Sequence, residues 1–329
     1  MATDMRDCVA VVTGASSGIG RATAQALARR GAEVVLGARS LGDLEAAAEE
    51  CRQAGGRAHV IAVDVADEGQ VKELADRALS TLGRIDAWIN NAGLALFGRA
   101  EEVPIEAFRR VIDVNLMGTV HGARAAIPIF REQGEGTLVN VASTAASVGE
   151  PFSSAYVASK WAVRGFSESL RMELADAPGI AVCTVLPTYT DTPLFQHGAN
   201  YTGRAAQPAG DTQPAAEVAE AIISLLQRPR REVFVGINGR GLELVKAVVP
   251  ARVEERMGRR LEERQFQDRS ATASAGNLYA PAPGAVSGGW RRRNSAARPR
   301  RMPLTAITIA ALAAVPLGLL AWRQVQGRT

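Results

Sequence analysis

Cysteine is scarce in this chain, and the three residues present, Cys8, Cys51 and Cys183, do not have the spacing of a metal site. An odd, scattered set of cysteines argues against a disulfide framework and fits a reducing compartment. Cys8 and Cys183 lie in apolar, strand-like runs, where we expect small core residues. The sequence therefore predicts no metal site.

Aromatic residues are also few, at 5% of the 329 residues, whereas hydrophobic residues reach 47%. A core built mainly from Ala, Gly and Val suits close packing of helices on a parallel sheet. Residues 1–4 are not a basic stretch followed by an apolar run, so no signal peptide is expected and the body of the chain is predicted to be cytoplasmic.

Acidic residues are absent from residues 269–329, which contain nine Arg and no Lys. The other 268 residues contain 29 basic and 34 acidic side chains, a net charge of −5, although the whole chain has +4. The basic character therefore belongs to the tail and does not indicate a nucleic-acid-binding domain.

Short apolar runs alternate with longer amphipathic segments between residues 8 and 236. The predicted strands are 9–13, 33–37, 58–63, 87–90, 136–142, 180–186 and 232–235, and the predicted helices lie near 18–30, 41–54, 67–82, 104–131, 153–177 and 215–227. This alternation predicts an α/β fold, with one doubly wound parallel sheet covered by helices on both faces. We assign residues 1–238 to a single Rossmann-type catalytic domain.

Residues 188–213 interrupt the alternation with Thr, Pro, Gly and Asn and show little periodicity. A segment of this length inside a compact domain is often a lid, and the alternative is a variable surface loop. Residues 239–267 are charged with an apolar stripe, which predicts a helical extension. Residues 268–303 are rich in Ser, Ala, Pro, Gly and Arg, which predicts a disordered basic linker.

An uncharged run of 18 residues, 304–321, follows six arginines and precedes Trp322. At ~1.5 Å per residue the run extends about 27 Å, close to the ~30 Å of a bilayer core. We predict a transmembrane helix over 304–322 with the body on the cytoplasmic side, since positive charge favours that side. The alternative is an Ala-rich helix that docks on the body.

The first predicted strand leads directly into a glycine-rich turn that is followed by a helix, the context of a dinucleotide site. Gly14 permits a tight turn, Gly18 allows close approach of a pyrophosphate, and Gly20 allows the helix to pack on the strand. The helix N-terminus offers N–H groups to the phosphates. Candidate phosphate-side residues are Gly14, Ser16, Ser17, Gly18, Ile19 and Gly20.

Arg39 follows the second predicted strand, where an acid would select NAD by binding the ribose 2′-OH. No acid is present there, and a guanidinium suits a 2′-phosphate, so NADP(H) is predicted over NAD. The alternative for Arg39 is a solvated loop charge. Asp64 and Val65 follow the third strand, where Asp64 either binds the adenine amino group or caps a helix.

Tyr156 and Lys160 are four residues apart in a predicted helix and so project from one face. A phenol near pKa 10 is a poor base at neutral pH, and a neighbouring ammonium is expected to lower its pKa. Ser143, at the end of the fifth strand, is placed to hold a substrate oxygen. Such a Tyr-x-x-x-Lys pair is common by chance, but its combination with Ser143 and the nucleotide turn is not.

These motifs together resemble the short-chain dehydrogenase/reductase family, over residues 8–236. The matching elements are Thr13-Gly14-x-x-x-Gly18-x-Gly20, Asn90-Asn91-Ala92-Gly93, Asn115, Ser143 and Tyr156-x-x-x-Lys160. The resemblance implies a seven-stranded parallel sheet and a Ser–Tyr–Lys mechanism. It also implies that Asn115 holds a water beside Lys160, that the Asn91–Gly93 patch supports the sheet near the cofactor, and that Arg39 marks NADP preference.

One motif departs from the family pattern, because Thr188 replaces the glycine that often follows Pro187. Thr190 and Thr192 remain candidates for the nicotinamide carboxamide, with Pro187 beside them. The segment Asn277-Leu278-Tyr279-x-Pro281-x-Pro283-Gly284 resembles C-terminal extensions of some bacterial members. By the same resemblance, we expect a homodimer or homotetramer that uses helix 153–177; packing of that helix on its own sheet is the alternative.

The predicted substrate pocket is mostly apolar, which favours an apolar carbonyl or alcohol over a sugar phosphate or keto acid. Its candidate residues are Leu94, Leu96, Phe97, Ala145, Phe152, Leu194 and Phe195. The alternative functions are a membrane-anchored, non-catalytic NADP-binding regulator and a sugar-nucleotide epimerase or dehydratase. The intact Asn115, Ser143, Tyr156 and Lys160 argue against the first, and the glycine pattern argues against the second.

Overall fold

The structure, a computed structural model, describes residues 5–6, 8–236 and 239–291. Its helices and strands, in chain order, are β1 (Val9–Thr13), α1 (Gly18–Ala28), β2 (Glu33–Ala38), α2 (Leu41–Gln53), β3 (Arg57–Ala62), α3 (Glu68–Leu82), β4 (Ala87–Asn90), β5 (Leu96–Phe97), α4 (Ile105–Ile112), a π-helical turn (Asp113–Met117), α5 (Gly118–Gln133), β6 (Gly136–Val141), a 3₁₀ turn (Thr144–Ala146), α6 (Ser154–Glu173), β7 (Ile180–Pro187), β8 (Thr190–Asp191), α7 (Leu194–His197), β9 (Ala199–Asn200), β10 (Arg204–Ala206), β11 (Gln213–Pro214), α8 (Ala215–Gln227), β12 (Glu232–Val235), α9 (Gly239–Val248), α10 (Pro250–Arg264) and β13 (Phe266–Ser270).

Seven strands form one parallel sheet in the order β12-β7-β6-β4-β1-β2-β3, which confirms the predicted α/β fold. The chain moves outward from β1 to β3 and then returns to β4 on the other side of β1. Val12 of β1 consequently pairs with Leu36 of β2 and with Ile89 of β4. This reversal opens a crevice at the carboxyl ends of β1 and β4, where ligands bind in folds of this kind.

Helices cover both faces of the sheet. Successive residues of β1 face opposite sides, so that Val12 packs with Leu27 of α1 whereas Val11 packs in the same cluster as Phe130 of α5. All four side chains are fully buried. Burial on both faces explains why the central strands are continuous apolar runs rather than alternating ones.

The predicted strands of the main sheet agree with the structure to within one residue at each end. The predicted helix 104–131 is instead divided by the π-helical turn Asp113–Met117, where a wider turn reorients the side chains. The predicted helical extension 239–267 is likewise divided, because Pro250 has no N–H to continue α9 and begins α10.

The prediction of a disordered linker is wrong for residues 268–291, which pack against the body. The beginning of this segment, in β13, pairs with β10, and Leu278 and Trp290 are buried against the body. Residues 274–290, which we call the C-terminal strap, contain no charged residue. The strap is ordered because its apolar side chains and backbone groups find partners on the body, which composition alone does not reveal.

The remainder of the predicted linker and the predicted span 304–322 lie outside the described residues. Within residues 5–6, 8–236 and 239–291, no helix is long and apolar enough to cross a bilayer.

The segment predicted as a lid, 188–213, contains short strands that tie it to other parts of the chain. β8 pairs with β11 inside the segment, β9 pairs with β5, and β10 pairs with β13. Segment 188–213, which we continue to call the lid, is therefore hydrogen-bonded to β5 and to β13, which leads into the C-terminal strap.

Candidate functional site

The glycine-rich turn after β1 leaves no room for side chains at two of its glycines. Gly14 has φ +65°, and a Cβ there would lie 2.8 Å from Ala92 Cα. A Cβ at Gly20 would lie 2.3 Å from the Gly14 carbonyl oxygen. A side chain at either position would displace the turn or the helix that follows it.

The Asn90–Gly93 patch holds this turn from the neighbouring strand. Asn91 Nδ2 donates to Thr13 O at 3.0 Å, and Thr13 Oγ1 accepts from the backbone N–H groups of Asn91 and Ala92 at 3.1 and 3.2 Å. The carboxyl ends of β1 and β4 are thereby linked at the crevice, where the family resemblance placed Asn91 and Gly93.

The N-terminus of α1 fits a phosphate group. The side chain of its N-cap, Ser17, makes no capping hydrogen bond, and Ser16, Gly18 and Ile19 line the cleft beside it. Backbone N–H groups of the first helical turn have no partner within the helix and carry a partial positive charge. Together with the space left by Gly14, this geometry suits the pyrophosphate of a dinucleotide.

Ser143, Tyr156 and Lys160 meet at the other end of the same cleft. Ser143 follows β6, and α6 places Tyr156 and Lys160 one turn apart, with Lys160 Nζ 5.8 Å from the centroid of the Tyr156 ring. Lys160 is buried and donates to Val141 O at 2.8 Å. A serine, a phenol and an amine are therefore gathered beside the nucleotide turn, as their spacing predicted.

The expected lowering of the phenol's pKa by Lys160 is corrected by the structure. Burial raises the pKa of Tyr156 to about 12, and a hydrogen bond with Ser143 only partly opposes this effect. Burial also lowers the pKa of Lys160 to about 8. Desolvation penalises the charged form of each group, so the phenol keeps its proton at neutral pH.

Asn115 lies in the π-helical turn and joins three parts of the site. Its Oδ1 accepts from Leu94 N at 2.7 Å, and its Nδ2 donates to Leu94 O at 3.0 Å and to Ser159 Oγ at 2.9 Å. The side chain thus connects the segment after β4 to α6 next to Lys160. The side chain of Asn115 therefore holds α6 to the segment after β4.

Arg39 and Asp64 have partners that the sequence did not indicate. Arg39 donates through Nη1 to Leu278 O at 2.9 Å and through Nη2 to Asn277 O at 2.6 Å, so it is not a solvated loop charge. Asp64 forms an ion pair with Arg110 and accepts from Ala66 N at 3.1 Å. The cap of α3 is Asp67 rather than Asp64.

In the segment after β7, the Thr190 hydroxyl is hydrogen-bonded to protein groups rather than free for a ligand. Thr190 Oγ1 donates to Thr188 O at 2.9 Å and accepts from Gln213 Nε2 at 3.3 Å. Thr192 packs against Gly18, where a Cβ would lie 3.2 Å from Thr192 Cγ2. Thr188 points its methyl group toward Gly236. Thr190 and Thr192 therefore lie at the cleft, but the Thr190 hydroxyl already has two partners.

Nearly all predicted site residues line one cleft. The predicted residues that line it are Gly14, Ser16, Ser17, Gly18, Ile19, Arg39, Asp64, Val65, Asn91, Ala92, Gly93, Ser143, Tyr156, Lys160, Pro187, Thr190 and Thr192, whereas Gly20 and Asn115 support it from behind. Of the predicted substrate contacts, Leu94, Phe97, Leu194 and Phe195 line the cleft, and Leu96, Ala145 and Phe152 do not. Leu96 is instead fully buried in the core.

Two groups of cleft residues were missed by sequence reasoning. Glu150 and Tyr189 are hydrogen-bonded near Tyr156, and burial raises the pKa of Glu150 to about 7. Asn277, Pro281 and Ala282 of the C-terminal strap also line the cleft. The uncharged Asn-Leu-Tyr-x-Pro-x-Pro-Gly run was the available sign of a packed strap, whereas nothing local distinguishes Glu150 from other loop acids.

Comparison with known families identifies the chain's relatives. Residues 8–200 match the sequence profile described as "short chain dehydrogenase". The chain belongs to the short-chain dehydrogenase family. It is therefore an oxidoreductase-type Rossmann protein of a family that binds nicotinamide cofactors.

Two curated relatives show how far the similarity extends. The uncharacterised oxidoreductase YxnA of Bacillus subtilis is 34% identical over 330 residues, covering 97% of this chain and 90% of that protein. The cis-4-hydroxycyclohexanecarboxylate dehydrogenase of Sinomonas cyclohexanicum is 42% identical over 221 residues, covering 66% and 88%. The YxnA alignment thus also includes the C-terminal region, beyond the family profile.

Solved structures share the fold. An alcohol dehydrogenase from Thermococcus sibiricus, complexed with 5-hydroxy-NADP, is 32% identical with a TM-score of 0.62 and covers 69% of this chain and 95% of its own. Levodione reductase is 27% identical with a TM-score of 0.63 and covers 70% and 96%.

Proposed function

We propose that this protein is an NADP(H)-dependent oxidoreductase that interconverts a carbonyl and a secondary or primary alcohol on an apolar small molecule. The observation that carries this proposal is the placement of Ser143, Tyr156 and Lys160 in one cleft with the glycine-rich turn of β1. Such a reaction needs a proton donor and a binding site for the dinucleotide. The residues proposed for these two roles line the same cleft.

In the reduction direction, the Tyr156 phenol donates a proton to the carbonyl oxygen of the substrate. Because burial raises its pKa to about 12, Tyr156 is protonated at neutral pH and ready to act as the acid. Ser143 holds the same oxygen, and Lys160 stabilises the phenolate that remains. A nicotinamide cofactor, when bound beside these residues, would supply the hydride.

NADP(H) rather than NAD(H) is proposed because β2 is followed by Arg39 and by no acid. The two partners of Arg39 are main-chain carbonyl groups, which fix the guanidinium without neutralising its charge. A fixed positive charge at this place favours a 2′-phosphate. The Thermococcus sibiricus alcohol dehydrogenase, whose structure contains 5-hydroxy-NADP, lends support from a relative.

The proposed substrate is apolar because Leu94, Phe97, Leu194 and Phe195 line the cleft near Tyr156. Glu150 lies among them, and its carboxylate would repel an anionic substrate. The Sinomonas relative is named for a hydroxycyclohexane carboxylate, which gives a contrasting candidate. A panel of neutral cyclic ketones and their carboxylate-bearing analogues, each assayed with NADPH and NADH, separates the two classes.

Replacing the phenol tests the proposed chemistry. With Tyr156→Phe we expect turnover of any substrate from the panel to fall by about a hundredfold or more, since general acid catalysis contributes about 10²–10⁴-fold. NADPH affinity should remain within a few-fold of wild type when measured by fluorescence titration. Turnover that survives the substitution contradicts the mechanism, and wild-type protein that binds NADPH without reducing any carbonyl favours the non-catalytic regulator.

We also propose a homodimer or homotetramer that uses α6. Trp161 and Met172, both on this helix, are exposed large apolar residues. Their burial in a second copy would remove apolar surface from water. Analytical ultracentrifugation distinguishes such assemblies from a monomer.

A further inference from the structure

The C-terminal strap follows the cleft from its adenosine end to its nicotinamide end. Near the adenosine end, Asn277 N donates to His197 O at 2.8 Å, and the carbonyl groups of Asn277 and Leu278 accept from Arg39. Arg110 Nε also donates to Leu278 O, at 3.0 Å. The start of the strap is thus held by Arg39, which follows β2, and by Arg110 of α4.

The middle of the strap crosses the N-terminus of α1. Gly284 N donates to Asp43 Oδ1 at 2.9 Å, and Gly18 N donates to Ala285 O at 2.8 Å. The approach at Gly284 is close, because a Cβ there would lie 2.5 Å from Ser16 O. This part of the strap therefore passes directly over the predicted phosphate site.

The end of the strap is attached to the lid beside the predicted nicotinamide site. Trp290 N donates to Asp191 Oδ1 at 2.9 Å, and its indole N–H donates to Thr192 O at 3.2 Å. Ser287 Oγ donates to the other oxygen of Asp191 at 2.8 Å. The Trp290 ring also packs edge-on against Phe195, which lines the substrate end of the cleft.

The strap lines the cleft at one point and contacts α1 at another. Pro281 and Ala282 line the same cleft as Gly14 and Asn91. Ala285 O accepts from Gly18 N, so the strap takes up one of the N–H groups at the predicted phosphate site. Because the strap has no acidic residue, it adds no charge that would repel phosphate groups.

We propose that the C-terminal strap is the outer wall of the dinucleotide site, enclosing the bound cofactor against the sheet and fixing Arg39 for the 2′-phosphate. Asn277 and Leu278 are then positioning residues that act through Arg39. Exchange of the dinucleotide requires the strap to leave α1 and the lid, so dissociation is slow. The inference rests on the proposed dinucleotide-binding function.

Two substitutions in the full-length chain loosen the strap at different points. Trp290→Ala removes the indole contacts with Thr192 O and with the Phe195 ring, and Gly284→Val forces the strap away from Ser16. Tyr279→Ala is the matched control, because Tyr279 belongs to the strap but its side chain is 58% exposed. Two loosening variants are used so that failure of one to fold does not decide the outcome.

Stopped-flow fluorescence gives the dissociation rate of NADPH from each protein when it is displaced by excess NADP⁺. We expect Trp290→Ala and Gly284→Val to release NADPH roughly tenfold faster or more, since loss of a buried aromatic contact acts mainly on dissociation. The preference for NADPH over NADH should also fall in both, because Arg39 loses its fixed position. Tyr279→Ala should match wild type in rate and preference.

Hydrogen exchange shows whether the strap closes over bound NADPH or is pushed away by it. In wild-type protein, NADPH should slow amide exchange in peptides covering 274–290, and faster exchange on binding overturns the proposal. Unchanged release rates in both variants, or tighter NADPH binding in them, also overturn it. Wild-type protein that binds neither NADPH nor NADH overturns the proposed function itself, and the strap proposal with it.

Discussion

Tyr156 shares the substrate end of the cleft with a second ionisable group, Glu150. The Tyr189 hydroxyl donates to the Glu150 carboxylate, whose pKa burial nonetheless raises to about 7. A negative charge on Glu150 in turn raises the pKa of Tyr156. The reactivity of the phenol therefore depends on a carboxyl group that belongs to no family motif found in the sequence.

This coupling predicts a pH effect of Glu150→Gln. In the proposed mechanism, alcohol oxidation requires the deprotonated Tyr156, so its rate rises as pH approaches the pKa of the phenol. Removing the negative charge lowers that pKa, and we expect the rising limb of kcat/KM to move to lower pH by roughly half a pH unit, or roughly 0.7 kcal/mol. A pH–rate profile of the oxidation reaction measures the shift.

Glu49→Gln is the control for this experiment, because Glu49 is exposed on α2, away from the cleft. Its profile should coincide with that of wild type. A limb that stays in place in Glu150→Gln, or moves to higher pH, contradicts the coupling between the two groups.

At the scale of elements, a buried polar chain connects the sheet to α6, and Asn90 Nδ2 also donates to Thr119 O of α5 at 3.2 Å. Trp88 Nε1 donates to Asn90 Oδ1 at 2.8 Å, Asn90 Nδ2 donates to Asn140 Oδ1 at 2.9 Å, and Asn140 Nδ2 donates to Ser167 Oγ at 2.9 Å. Gly122 of α5 leaves the space for this chain. The helix that carries Tyr156 and Lys160 is thereby held to β4 and β6 by directed bonds as well as by apolar packing.

Gly122→Ala tests this connection, because its Cβ would lie 2.0 Å from Asn90 Oδ1 and 2.5 Å from Trp88 Nε1. We expect the free energy of unfolding to fall by about 2 kcal/mol, from overpacking and the displaced hydrogen bond. Urea unfolding measures it. Gly165→Ala in α6 is the control: its Cβ would have no neighbour within 4 Å, so helix propensity should make it stabilising by ~0.5–1 kcal/mol. Equal effects of the two substitutions would contradict the steric argument.

At the scale of the whole molecule, charge is divided along the chain. The first 268 residues have a net charge of −5, and eight of the nine arginines beyond them flank the predicted span 304–322, six before it and two after it. Such a division suits a body attached to an anionic membrane surface by a basic juxtamembrane segment. Membrane attachment stays a prediction.

Deletion of residues 300–329 tests the attachment. We expect the full chain to sediment with membranes after cell fractionation and the deleted chain to remain in the supernatant, with NADPH binding unchanged. Leu312→Arg in the otherwise complete chain should weaken insertion, since a charge at the centre of a span costs roughly 2.5–3.5 kcal/mol. Identical fractionation of the full and deleted chains removes the anchor hypothesis.

The sequence by itself determined the sheet and most residues of the cleft, but not Glu150, Tyr189 or the strap residues that line it. Each strand of the main sheet is a short apolar run. Gly14 and Gly18 belong to one tight turn, and Tyr156 and Lys160 are one helical turn apart, so each pair is close in space because it is close in sequence. Backbone geometry alone converts such short-range patterns into structure, so they were predictable.

Only the tertiary structure decided the partners and the pKa values of the cleft. Arg39 binds the carbonyl groups of Asn277 and Leu278, 238 and 239 residues along the chain. The high pKa of Tyr156 follows from burial, and that of Glu150 does as well. Desolvation and long-range hydrogen bonds depend on which distant segments pack together, and no local pattern records that choice.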